Sequence, residues 1–127
     1  MSGLKTLSLG LAMTLLMAGA AQALDDLTRE FAYCTGRYSA EMEHSWLIND
    51  PAAEEQEARR ANFVALLDAV VTPDTGVAIL NHRISAKAAQ AALLARASFA
   101  EDMTIRQQSR AQASLLLESC DGFLLQG

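Results

Sequence analysis

Apolar residues recur at helical spacing along almost the whole chain. Between Asp25 and Ile48, the residues Leu27, Phe31, Cys34, Tyr38, Met42 and Trp46 fall at intervals of three and four, which puts them on one stripe of a first helix. Asn49-Asp50-Pro51 predicts a stop and a restart. The Asp50 carboxylate can accept from free backbone amides, and Pro51 misses no donor in a first helical turn. A second helix is expected from Pro51 to about Val71, polar in its first half and apolar through Phe63, Leu66, Leu67, Val70 and Val71. Its polar start should project toward solvent. Thr72-Pro73-Asp74-Thr75-Gly76 ends it, because Pro73 biases Thr72 away from helix.

Beyond Gly76 two further stripes follow. Leu80, Ile84, Ala88, Ala91, Ala95 and Phe99 predict the buried face of a third helix, in which the alanines favour helix and allow close approach. Ile105, Ser109, Ala113, Leu116, Leu117 and Cys120 predict the face of a fourth, with Gly122 as its left-handed cap and Phe123 to Leu125 folding back over the bundle end. Gly36, inside the first helix, reads as a position of close packing.

The start of the chain belongs to another class of segment. Lys5 precedes an apolar run from Leu7 to Met17, and Ala21-Gln22-Ala23 has the small-x-small pattern cut by a signal peptidase. The run is broken by Gly10 and Gly19 and is too short for a membrane span. Residues 1–23 are therefore expected to be a removed signal and residues 24–127 one exported helical domain, periplasmic in a bacterium and otherwise secreted. No later segment is apolar for long enough to span, so no membrane association is expected after cleavage.

In an exported chain the pair Cys34 and Cys120 is expected to be oxidised, closing a loop worth about 4 to 5 kcal/mol in the chain-entropy treatment. That bond decides whether one helix or two follow Gly76. In an up-down bundle of four helices Cys34 lies about 21 Å from one end of the bundle and Cys120 about 27 Å from the same end, close enough to pair. A single helix from Gly76 would carry Cys120 roughly 67 Å away and forbid the bond. The expected fold is thus all-α, an up-down four-helix bundle stapled between its first and fourth helices. The break between the third and fourth helices is placed at Ser98-Phe99-Ala100-Glu101, which has capping-box spacing.

Charge narrows the choice of partners. The chain holds 10 Lys and Arg against 15 Asp and Glu, and loss of Lys5 with the signal leaves about −6. Such a surface is repelled by phosphate backbones, and its basic residues are scattered, so nucleic acid is not an expected partner. Redox exchange would need Cys-x-x-Cys and haem attachment Cys-x-x-Cys-His; neither is present. No cofactor is expected. Neither His44 nor His82 is paired in sequence with a nucleophile, so the chain reads as a binding protein rather than an enzyme.

One constellation carries chemistry. Glu30, Arg37, Glu41 and His44 share a band of the first helix, and Glu41 with His44 has the Glu-x-x-His spacing of metal-binding bundles. Against a metal site at Glu41 and His44 stands a plain ladder of Arg37–Glu41 and Glu41–His44 pairs on a helix boundary, which the spacing favours. Met42 and Met103, possible soft ligands for copper, and Tyr38 and Trp46 read as core. The candidate binding surface is Arg37 with Phe123 and Leu124, for a protein or small-molecule partner that the residues do not identify. Exported protein should give an intact mass that begins at Leu24 and contains the internal disulfide. A mass beginning at Met1 or Ser2 on membrane-held material would overturn the export reading.

Overall fold

The computed structural model describes residues 3–124, with side chains from Ala23 onward. The expected removal of residues 1–23 concerns a segment that lies, apart from Ala23 and Gly19, outside that side-chain description. Four helices follow in order: α1 (Gly3–Leu47), α2 (Ala53–Val70), α3 (Gly76–Phe99) and α4 (Met103–Leu124). They form an all-α, up-down bundle. Going up α1, partners on α3 rise with it, from Tyr33 against His82 to Glu43 against Lys87 and His44 against Ser98. Partners on α2 and α4 descend, with Ser39 beside Arg60, Phe31 beside Phe63, and Tyr38 beside Asp121.

The bundle is not square. α1 packs against the other three helices and most extensively against its diagonal neighbour α3, while α2 has α1 as its substantial neighbour among the described residues. Gly36 permits this. A Cβ built there would stand 2.3 Å from the Arg83 carbonyl oxygen and 2.9 Å from the Lys87 nitrogen, so the α1 and α3 backbones touch where the sequence placed a close approach.

Being central, α1 is buried almost all round from Phe31 to Met42. It achieves this with small hydroxyl residues as well as apolar ones. Thr28, Thr35 and Ser39 each donate at 2.8 Å to the carbonyl four residues earlier, so their burial leaves no hydroxyl proton unpaired. The lower half holds the main core. Phe31, Tyr38, Phe63, Leu67 and Ile79 surround the Cys34–Cys120 disulfide, whose Cα atoms are 5.6 Å apart. Tyr38 stacks on Phe63 with ring centroids 5.7 Å apart, and Phe123 meets the Phe31 ring edge-on at 5.5 Å. The upper half is thinner, built on Ala40, Leu93, Leu94 and Ala113 with Leu116 against them.

Several boundaries and faces differ from expectation. Helix α2 begins at Ala53 rather than Pro51: Asn49 takes φ 58°, and Asp50 accepts from the Ala52 amide through its side chain and from Ala53 through its carbonyl. Ser98 does not cap α4. Helix α3 runs on through Phe99, and Asp102 accepts from the Thr104 amide at 2.8 Å and the Ile105 amide at 3.3 Å, while Arg106 and Arg110 reach back to the Ala100 and Ala97 carbonyls. Gly122 stays helical instead of taking a left-handed cap, because Phe123, one residue on, is held against Phe31 and keeps the last turn wound. Leu124 is helical too, and Leu125 lies outside the described residues.

Predicted core positions on three helices also move. Trp46 is 56% exposed, since Ser45 rather than Trp46 takes the inward position at the top of α1. In α3 the inward residues are Ile79, Gln90, Leu93, Leu94 and Ala97, and the whole predicted stripe from Leu80 to Phe99 faces out. Ile105 of α4 is likewise exposed.

The glycines separate backbone contact from propensity. Gly36→Ala should lower unfolding free energy by about 1 to 3 kcal/mol despite the better helix former, because its methyl meets backbone that cannot rotate away. Gly122→Ala, which enters open space, should raise it by about 0.5 to 1 kcal/mol. Urea titration of both variants checks the pair, and a stabilised Gly36→Ala would overturn the close approach.

Candidate functional site

The band Arg37, Glu41 and His44 does not form the ladder expected of it. Glu41 and His44 turn to separate partners on α3, and Arg37 turns to α4. Glu41 is buried and accepts from Gln90 Nε2 of α3 at 2.7 Å; the same nitrogen donates to the Ala113 carbonyl of α4 at 3.2 Å. Gln90 thus ties three helices at one point, and its Oε1 is buried with no protein partner. Burial pushes the Glu41 carboxyl above its ordinary value of 4.5, with the Gln90 bond opposing the shift. Nothing in the sequence singled out Gln90, one of two amide side chains in an alanine-rich helix.

His44 Nε2 lies 2.7 Å from Ser98 Oγ, and its ring meets Phe99 at 6.0 Å. Glu41 and His44 therefore hold separate partners on α3, and among the described residues no group of three or more His, Cys, Asp and Glu is gathered for a metal. Arg37 crosses to α4, with Nη1 at 3.3 Å from Ser119 Oγ, 3.5 Å from the Leu116 carbonyl and 3.6 Å from Cys120 Sγ, while its guanidinium lies 5.7 Å from the Tyr33 ring centre. Its Nη1 is engaged within the bundle beside the disulfide.

The other polar cluster locks the lower end. Tyr38 donates to Asp121, which also accepts from Arg59 Nη1 at 2.7 Å, and Arg59 is held in turn by Glu55 at 2.8 Å. Burial of Tyr38 and its bond to Asp121 push the phenol well above its ordinary range. Phe123 and Leu124, the remaining residues of the expected binding surface, border a shallow hollow of about 430 Å³ with Asn62, Ala65, Leu66 and Ala69 of α2.

A continuous uncovered apolar stripe runs along the outer face of α3. Leu80 is 51% exposed, Ile84 56% and Phe99 58%, with Ala88, Ala91 and Ala95 between them. Two hollows of about 230 Å³ flank it. The upper one lies between Glu43, His44 and Leu47 of α1 and Ala91, Ala95 and Phe99; the lower lies between Leu67, Asp68 and Val71 and Ile79, Leu80 and Arg83. Among the described residues no helix is long and apolar enough to cross a membrane.

The chain matches no family model, no curated protein and no solved structure.

The raised Glu41 carboxyl has a definite consequence. A carboxyl whose folded pKa exceeds its unfolded value keeps its proton longer in the native state, so it removes stability as pH rises from about 4.5 toward 7. Glu41→Gln keeps an oxygen for Gln90 and cannot ionise, so its stability should gain on the wild type across that interval. Paired urea titrations at pH 4 and 7 measure this, and a difference that shrinks as pH rises would contradict it.

Proposed function

We propose that the protein is an exported binding module, acting in the periplasm of a bacterium or outside the cell, that docks a helical partner on the outer face of α3. The observation that carries this reading is the apolar stripe of Leu80, Ile84, Ala88, Ala91, Ala95 and Phe99, as regular as a core stripe and yet uncovered. Contiguous exposed apolar surface of this kind lowers solubility unless something occupies it, and an apolar helix face with flanking hollows suits a second helix that lays its own side chains into them. The acidic balance of the chain, about −6 without the signal, supports a protein partner over nucleic acid. A disulfide and an aromatic core beneath the lower end of the face give that end a rigid support.

A second reading, a metal or small ligand bound through Glu41 and His44, has one observation in its favour. Gln90 Oε1 lies buried and unpartnered on the side chain that bonds Glu41. A bound mass in the native spectrum of exported protein, lost in His44→Gln, would favour this reading over docking.

A benzophenone amino acid in place of Ile84 tests the docking surface. In the exporting cell it should form a protein adduct on illumination, whereas the same group in place of Gln107, on the exposed polar face of α4, should not. Equal adduct yields at both positions, or none at position 84, would remove the face of α3 from consideration.

A further inference from the structure

We infer that the outer face of α3 is covered by a second copy of the chain, whose own α3 lies antiparallel against it; the inference rests on reading that face as the docking surface. The stripe is symmetric about the midpoint between Ala89 and Gln90. Leu80 stands as far before that point as Phe99 stands after it, Ile84 as far before as Ala95 after, and Ala88 as far before as Ala91 after. A twofold contact uses the same patch on both copies and so requires a patch that matches itself when reversed. Here Leu80 meets Phe99, Ile84 meets Ala95, and Ala88 meets Ala91. A large side chain opposes a small one next to each end, which lets the two rows interdigitate. The alanines at the centre allow the axes to approach to about 8 Å. A parallel pair would instead set Ile84 on Ile84 and Ala95 on Ala95, wide at one end and loose at the other.

Charge agrees with this arrangement. Helix α3 carries Arg83, Lys87 and Arg96 and no acid, so two such helices would repel unless carboxylates stand at the seam. Glu43 of α1 supplies one: its Oε1 lies 2.6 Å from Lys87 Nζ, and it borders the hollow beside Ala91 and Ala95. In the antiparallel register, Lys87 of the second copy comes level with Ala92, alongside that same hollow. Each Glu43 then stands between two ammonium groups, and the opposed helix dipoles add to the preference.

The extent of the face sets the strength. The stripe runs roughly 28 Å along α3. With Leu47, 71% exposed at its upper edge, it offers on the order of 600 Å² per copy, the lower bound for a specific interface. An interface of that size corresponds to a weak, concentration-dependent dimer.

Sedimentation of exported protein between about 1 and 200 µM should show the mass doubling with concentration. Ala88→Glu and Ala91→Glu, both at positions exposed in one copy, should weaken dimerisation at least about tenfold while helix content stays unchanged, and Gln107→Glu on α4 should have no effect. In the otherwise native background, the benzophenone group at position 84 should attach to the other copy around Ala95, which keeps the test valid should a glutamate variant fail to fold. A monomer at 200 µM, a dimer indifferent to both glutamates, or an adduct around position 84 itself would overturn the inference. If the protein is monomeric and position 84 captures a different protein, the dimer is lost and the docking reading survives; if it captures nothing, both fall.

Discussion

The backbone contact at Gly36 is the constraint on which the other arrangements depend. With no side chain at that position, α1 and α3 close across the diagonal of the bundle until the Arg83 carbonyl and the Lys87 amide lie where a methyl would be. That collapse makes α1 a central helix and sets α2 and α4 on its remaining surface. It also dictates the small hydroxyl residues of α1, since Thr35 and Ser39 fit tight helix contacts and satisfy their own protons on the preceding turn. A bulkier apolar stripe there would hold the two helices apart.

Stability is distributed unevenly along the bundle. The lower half contains the disulfide, the stack of Tyr38 on Phe63, the Phe31 and Phe123 contact, and the Tyr38, Asp121 and Arg59 cluster that joins three helices. The upper half depends on a few aliphatic residues and on Gln90, which bonds both Glu41 and Ala113 while leaving its own oxygen unpaired. A buried amide half satisfied, next to a carboxyl whose ionisation burial opposes, stabilises less than apolar packing of the same volume. The outer face of α3 spans both halves, so its lower end rests on the rigid core and its upper end on the more yielding region.

Much of the architecture could be read in the chain itself, for reasons local to each element. Helical periodicity, the Asp50 and Pro73 breakpoints and the alanine content settle the helical class and the first two breaks, because these depend on backbone chemistry within a few residues. The two cysteines excluded a single long helix after Gly76 by geometry alone, and Gly36 marked the close approach because a glycine inside a helical pattern costs stability unless something needs the space. The end of α3 was less accessible: Ser98 resembles a cap, but His44 takes its hydroxyl, and Asp102 does the capping.

What periodicity cannot supply is the direction in which a stripe points. Helix α3 has two apolar faces, one through Ile79, Leu93, Leu94 and Ala97 and one through Leu80, Ile84, Ala91 and Phe99, and the second is the more regular in sequence. Contact with α1 at Gly36 and the reach of Gln90 to Glu41 select the first as inward, and both involve residues about 50 positions apart. The same holds for Arg37, Glu41 and His44, whose spacing on one helix suggested that they serve each other but whose partners lie on α3 and α4. The sequence by itself determined the helices, their order and the covalent tie. Which face each helix turns inward was decided only when the chain folded, because burial depends on what lies opposite and not on the pattern of one strip of residues.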